Sequence, residues 1–389
     1  MNSERQHWYK YFTSPGALLV IVTVFSLVLA NGGLGEVYRH FWHLEAGFTL
    51  GPVHLQKSLL HWINDAVMVL FFVLVGLEIK RELDEGELST KRKAMLPLFA
   101  ASGGMMVPAL IYFAFNAGTE AVHGWGIPMA TDIAFALAVL SMLKSSVPGS
   151  IRVFLTALAI IDDLGAVLVI AFFYTSELYL SYLGWAAITA VILFALNKGG
   201  VRKWWPYTIA GILLWYFVLM SGVHATIAGV LFAIFIPIHR INSKSMLHHL
   251  EHALTPIAHF FILPLFAIAN TALLIETSLL SGLLTAPALG VFFGSLIGKP
   301  AGITLFTHLA VKFKVADLPR HVNFRQIAGA GMLGGIGFTM SIFISMLAFD
   351  SPELQDLSKL TILVASLIAG VSGYLWMKHE GKRSRLKTT

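Results

Sequence analysis

The chain has 389 residues, of which 57% are hydrophobic and only 12% charged, and its mean hydropathy is +0.75. A soluble domain is about a quarter charged, so this composition excludes an ordinary water-soluble globule and makes lipid the solvent. The formal net charge of +6 sits in short connections between apolar stretches and reflects membrane topology, not a nucleic-acid partner; the absence of cysteine excludes disulfides, thiolate metal sites and cysteine nucleophiles.

Apolar stretches of about 17 to 25 residues suffice to cross a hydrocarbon core roughly 30 Å thick. Twelve spans are predicted, over 15–31, 58–79, 94–116, 125–143, 150–174, 181–197, 205–220, 222–238, 253–275, 286–311, 327–349 and 357–377. The expected fold class is an all-α polytopic membrane protein forming one integral membrane domain over residues 1–389. Arg5 and Lys10 before the apolar run Ala17 to Ala30 also fit a secretory signal, but the run is read as a retained first span.

Taking the spans alternately, nearly all of the 27 Lys and Arg residues fall on the side of the N-terminus. Arg39, Lys57 and Lys359 fall on the other side, and Lys299 lies inside the tenth span. The positive-inside rule therefore puts both termini in the cytoplasm, and one span more or fewer would scramble the alternation. The long external connection carries Phe48-Thr-Leu-Gly-Pro-Val-His-Leu-Gln56, whose Gly51-Pro52 centre separates short alternating arms. It predicts a β-hairpin over about 45–58, whose exposed strand edges suit a structured loop or a dimer contact.

Two spans are interrupted. Trp125-Gly-Ile-Pro-Met-Ala-Thr-Asp132 lies in the fourth, where Pro128 removes a backbone donor, and Gly329-Ala-Gly-Met-Leu-Gly-Gly-Ile-Gly337 lies in the eleventh, where glycines weaken the helix. Paired breaks of this kind point to a transport site.

Most acidic residues fall in loops or at span ends, where a solvated charge explains them. Asp132, Asp162 and Asp163 lie well inside spans, Asp65 lies in the first two turns of the second, and Lys299 is the one basic residue deep within a span. A charge inside the membrane is costly and by default functional. Asp162 and Asp163 are neighbours in Ala157-Leu-Ala-Ile-Ile-Asp-Asp-Leu-Gly165, and successive helical side chains point about 100° apart. One carboxylate can face a water-filled cavity while the other turns to a partner, and the two are expected to titrate as a coupled pair. Small hard cations prefer oxygen ligands, so Na⁺ and protons would compete for the same atoms. The alternative is a pair held by Lys299 that only fixes helix packing.

Asp132 is expected to offset helix N-termini exposed at the breaks, and Lys299 either exposed C-termini or an aspartate of the fifth span. His224 in Gly222-Val-His-Ala-Thr is a lone histidine on an apolar helix, a pattern more often structural than switching. Glu78, Lys80, Arg81 and Glu82 close the second span, and Glu251 with His248, His249 and His252 opens the ninth. An interfacial charge cluster accounts for them, yet grouped His and Glu also titrate where a pH sensor must.

The chain resembles NhaA-type Na⁺/H⁺ antiporters from end to end. The segments that carry the resemblance are Trp62-Ile-Asn-Asp-Ala66, Phe72 to Glu82, Pro128 to Phe135, Ala157 to Gly165, Gly222 to Thr226, Gly298-Lys-Pro300 and Gly334 to Ser341. The resemblance implies inverted repeats made by spans 3–5 and 10–12, unwound and crossing spans 4 and 11, and a homodimer held partly by the hairpin. It implies electrogenic, pH-regulated exchange of Na⁺ or Li⁺ for H⁺ across a bacterial inner membrane, with no cofactor. The transported cation falls on Asp162 and Asp163, with Asp163 the chief ligand and Thr131, Asp132 and Lys299 in support. Glu78, Arg81, Glu82 and Glu251 fall on positions linked to pH response. His248 and His249 stand where the family carries basic residues, and Thr255 where it carries a histidine, so the ion site transfers more directly than the pH profile.

A cation-coupled solute symporter would use the same repeats and buried acids. An intramembrane aspartyl protease needs two aspartates facing each other across two helices, with a Gly-x-Gly-Asp motif that the chain lacks. With no His-Glu-x-x-His and no Gly-x-Ser-x-Gly motif either, the chain reads as a transporter and not an enzyme.

Overall fold

The computed structural model describes residues 14–50, 53–143, 147–175, 178–238 and 245–386. Arg5, Lys10 and the Gly51-Pro52 turn lie outside the described residues. Helix α1 (Pro15–Asn31) bends by 117° into α2 (Gly35–Trp42). Strands β1 (Glu45–Leu50) and β2 (Val53–Ser58) pair antiparallel, with Glu45 opposite Ser58 and Leu50 opposite Val53, and form the predicted hairpin. The rest is helical: α3 (Leu59–Asp84), α4 (Lys91–Asn116), a 3-10 helix (Glu120–Met129), α5 (Ile133–Met142), α6 (Gly149–Phe173) and α7 (Leu180–Lys198). There follow α8 (Trp204–Met220), α9 (Ala225–Phe235), α10 (Met246–Asn270), α11 (Thr277–Gly282), α12 (Ala286–Lys312), α13 (Phe324–Gly334), α14 (Phe338–Ala348) and α15 (Pro352–Leu386).

Every predicted span falls on a helix or a bent pair of helices. Among the described residues, seven helices are long and apolar enough to cross a membrane, or ten spans if each bent pair counts once; α8 and α9 are shorter apolar helices. This is a multi-pass membrane protein. The ninth and twelfth spans reach further than predicted, to Met246 at the start of α10 and to Leu386 at the end of α15. Both extensions are polar. A helix that continues beyond the hydrocarbon core keeps its hydrogen bonds but loses its hydropathy signal.

The chain divides into two compact units, one of Met1–Ile21, Glu85–Ala166 and Ile275–Thr389, the other of Val22–Asp84 and Val167–Leu274. In the first unit α12 packs tightly on α4. Its Gly294, Gly298 and Gly302 recur every fourth residue; a methyl on Gly302 would overlap the Gly103 carbonyl oxygen, and one on Gly298 would lie 2.9 Å from Pro108 Cα. Lipid provides little hydrophobic drive for helices to associate, so glycine contacts that bring backbones together supply the attraction through dispersion. In the second unit Gly76 of α3 faces α9 in the same way: a methyl there would lie 2.6 Å from Ala233 Cβ.

Among the described residues, three helices contain a π turn, at Ile63–Val67 in α3, Ala258–Ile262 in α10 and Gly294–Gly298 in α12. The first contains Asp65, and the last ends immediately before Lys299. Such turns occur mostly as single widened turns inside α-helices, often at functional sites.

Candidate functional site

The site begins with two breaks in the backbone. Between the 3-10 helix and α5 the chain bends by 42°, with Ala130 and Asp132 extended; between α13 and α14 it bends by 52°. Each break strands polar groups that a continuous helix would have paired. In hydrocarbon each unpaired group costs several kcal/mol. The first unit supplies partners from nearby residues. Asp132 N–H donates to the Ile336 carbonyl at 2.7 Å, and Ser341 Oγ donates to the Ile127 carbonyl at 2.7 Å. Ser366 Oγ accepts Phe338 N–H at 3.1 Å.

Asp132 serves two helix starts at once. Its Oδ1 accepts the Phe135 N–H at 3.0 Å and caps α5, while its Oδ2 accepts the Thr339 N–H at 3.2 Å and the Thr339 hydroxyl in the first turn of α14. A carboxylate at a helix N-terminus is favourable because the free N–H groups leave partial positive charge there. Asp132 thus lies at the N-termini of both α5 and α14.

Lys299 was expected to meet either a helix C-terminus or an aspartate of the fifth span. It does both. Its ammonium donates to the carbonyl of Met129, the last residue of the 3-10 helix, and to Asp162 Oδ2 at 2.6 Å. The Thr131 hydroxyl lies 2.7 Å from the same Oδ2 and 2.9 Å from the Gly334 carbonyl, with one proton to give to either. Lys299 is 0% exposed, Asp162 1% and Asp163 4%. Asp162 Oδ1 is buried and accepts no hydrogen bond among the described residues. Asp163 is the next residue of α6, about 100° round the helix.

Thr131, Asp132, Asp162, Asp163 and Lys299 therefore belong to one unit and come from the first break, α6 and α12. The charged residues Glu78, Arg81, Glu82 and Glu251 belong to the other. There Arg81 pairs with Glu82 at 2.7 Å and with Glu251 at 2.9 Å, and Glu78 interacts electrostatically with all three. Lys80 donates to the Ile234 carbonyl at 2.6 Å and to that of Ile236, at the C-terminal end of α9. His224 is the N-cap residue at the other end of α9 and interacts electrostatically with Asp65, whose carbonyl accepts the Trp215 indole N–H at 2.9 Å.

Thr339, Ser341 and Ser366 were missed as site residues, although Thr339 and Ser341 lie in the quoted Gly334-to-Ser341 segment. For Thr339 and Ser341 the signal is a hydroxyl two to four residues past Gly337, where freed backbone needs a partner; Ser366, within α15, carries no such signal.

The family model of Na⁺/H⁺ antiporter 1 matches residues 6–377. The Na(+)/H(+) antiporter NhaA 2 of Flavobacterium johnsoniae is 47% identical over 380 residues, covering 97% of this chain and 93% of its own. The Na(+)/H(+) antiporter NhaA of Escherichia coli strain UTI89 is 48% identical, covering 96% of this chain and 98% of its own, and that of Shigella dysenteriae is 47% identical with the same coverage. With the matched family model spanning nearly all of its length, the chain belongs to the Na⁺/H⁺ antiporter 1 family.

Proposed function

We propose that this protein exchanges Na⁺ or Li⁺ for H⁺ at the carboxylates of Asp162 and Asp163. The observation that carries the assignment is the unequal use of the two Asp162 oxygens. Oδ2 is engaged by Lys299 and Thr131, whereas buried Oδ1 takes no hydrogen bond from the described protein. A buried carboxylate oxygen left without a donor is costly, and a proton or a small hard cation each satisfies it. The same atom cannot hold both. Competition at one site that opens alternately to the two sides is sufficient for exchange.

In this reading Asp163 is the chief cation ligand and Asp162 is shared between the cation and Lys299. Thr131 and Asp132 hold the geometry of the breaks, which belong to two crossing, unwound spans in a fold of twelve spans with inverted repeats. Two carboxylates can carry two protons but need only one monovalent cation, so the exchange moves net charge and is electrogenic. Glu78, Arg81, Glu82, His224 and Glu251 regulate it with pH. The protein works in a bacterial inner membrane with both termini cytoplasmic, as a homodimer joined partly through the free edges of the β1–β2 hairpin.

The test is a proteoliposome assay in which Na⁺, Li⁺ or K⁺ is added against an imposed pH gradient. Na⁺ and Li⁺ should collapse the gradient, and Asp162→Asn and Asp163→Asn should not. The apparent affinity for Na⁺ should weaken as pH falls, by up to about tenfold per pH unit for one competing proton. Full activity in Asp163→Asn, or an Na⁺ affinity that ignores pH, would sink the mechanism.

A further inference from the structure

Lys299 must give up part of its hold on Asp162 when a cation arrives, and its surroundings limit how it can do so. Its backbone is clamped. Gly298 lies against Pro108, Gly302 against Gly103, and a methyl on Gly331 of α13 would come within 2.8 Å of Pro300 Cα. A shift of α12 large enough to withdraw the ammonium would break this packing, leaving rotation of the alkyl chain as the available movement. Beside that chain, Gly334 leaves space and Gly104, packed on Ile303, does not. A methyl on Gly334 would lie 3.8 Å from both Cγ and Cε of Lys299 and 3.3 Å from Ile303 Cδ1. From the α4 side, a methyl on Gly104 would lie 3.8 Å from Lys299 Cδ and 2.8 Å from Ile303 Cγ1.

We infer that Gly334 is a positioning residue that leaves a slot beside the Lys299 side chain, the room into which the alkyl chain turns as the ammonium withdraws when a cation takes Asp162. The inference rests on the reading of Asp162 as a cation ligand. The slot lies on one side of a side chain that is otherwise wholly enclosed, with Ile303 filling the side of Gly104. At Gly334 the free space is the size of one methyl, so an alanine there fills the slot with only a small adjustment of the Ile303 terminus. With the slot filled, the ammonium stays on Asp162 and the cation must compete against a more firmly held lysine.

The test measures the KM for Na⁺ and the maximal exchange rate in proteoliposomes containing Gly334→Ala, with Ile303→Val, which removes the Cδ1 methyl beside the slot and should lower KM, as the second variant should the first not fold. KM should rise about fivefold in Gly334→Ala, a fraction of the worth of a hydrogen bond to a charged group, with a smaller change in maximal rate. The same substitution in a Lys299→Ala background should leave the affinity unchanged, because the side chain that used the slot is gone. If Lys299→Ala does not turn over, the same four proteins are compared by binding of radioactive sodium to purified protein. An equal loss of affinity in both backgrounds would reduce Gly334 to packing, and an unchanged affinity in the Lys299 background would overturn the slot. Asp162→Asn binding sodium as tightly as the unaltered protein would instead overturn the reading on which the inference stands.

Discussion

In the first unit the paired side chains of Lys299 and Asp162 are 0% exposed, whereas in the second those of Arg81, Glu82 and Glu251 keep 31%, 10% and 16% of their surface exposed. Both clusters set a cation against carboxylate at hydrogen-bonding distance, Lys299 against Asp162 and a backbone carbonyl, Arg81 against Glu82 and Glu251. What differs is the medium. Where water reaches, it screens each charge and replaces a lost partner; where it does not, each charge depends on the few groups fixed around it. The enclosed cluster is thus suited to making one bound ion decide the state of another group. The open cluster is suited to graded adjustment.

This contrast can be broken by removing one partner from each cluster. Lys299→Ala strips Asp162 of its cation and should destabilise the protein by about 3 to 5 kcal/mol, the usual cost of leaving half a buried pair. Thermal unfolding in detergent would register it, and adding Asp162→Asn should recover part of the loss. Exchange should suffer less in Lys299→Ala than in either aspartate variant; the reverse order would make the lysine a carrier of the exchanged proton. Thr339→Val comes next. It removes the hydroxyl donor to Asp132 while leaving the Thr339 N–H in place, and should lower stability by about 1.5 to 3 kcal/mol, the range for a hydrogen bond to a charged group. The smallest change is expected at Glu251→Gln, which loosens the partly exposed Arg81 pair. It should cost about 1 kcal/mol or less and move the activity–pH profile along its axis, with little change in maximal rate. A large stability loss there would contradict the contrast between the clusters.

The helices were legible because lipid demands long apolar runs and because basic residues mark one side of the membrane. Span 15–31 coincides with α1 for that reason. Pro128 and the Gly334-Gly335-Ile336-Gly337 run announced the breaks, since both change the backbone locally. Asp162, Asp163 and Lys299 stood out because charge is rare in such runs. What escaped the sequence was which atom meets which. That Lys299 reaches both Met129 and Asp162 depends on α12 lying close enough to α4 and α13, a matter of glycines far apart in the chain. The π turn before Lys299 left no signal either, because widening one turn changes neither hydropathy nor composition. The sequence predicts one interrupted helix for the fourth span, whereas the part before the break is a 3-10 helix. Gly124, Gly126 and Pro128 weaken the α-helix there without specifying what replaces it.

The double role of Asp132 has a mechanical consequence. Its N–H holds one break to the other through Ile336, and its two oxygens hold the first turns of α5 and α14. A single residue thus rivets both breaks together, and prising them apart would strand at least three donors in a place that water does not reach. The pair of breaks should therefore travel as one rigid piece during the cycle, with the hinges that expose the ion to either side located elsewhere in the chain.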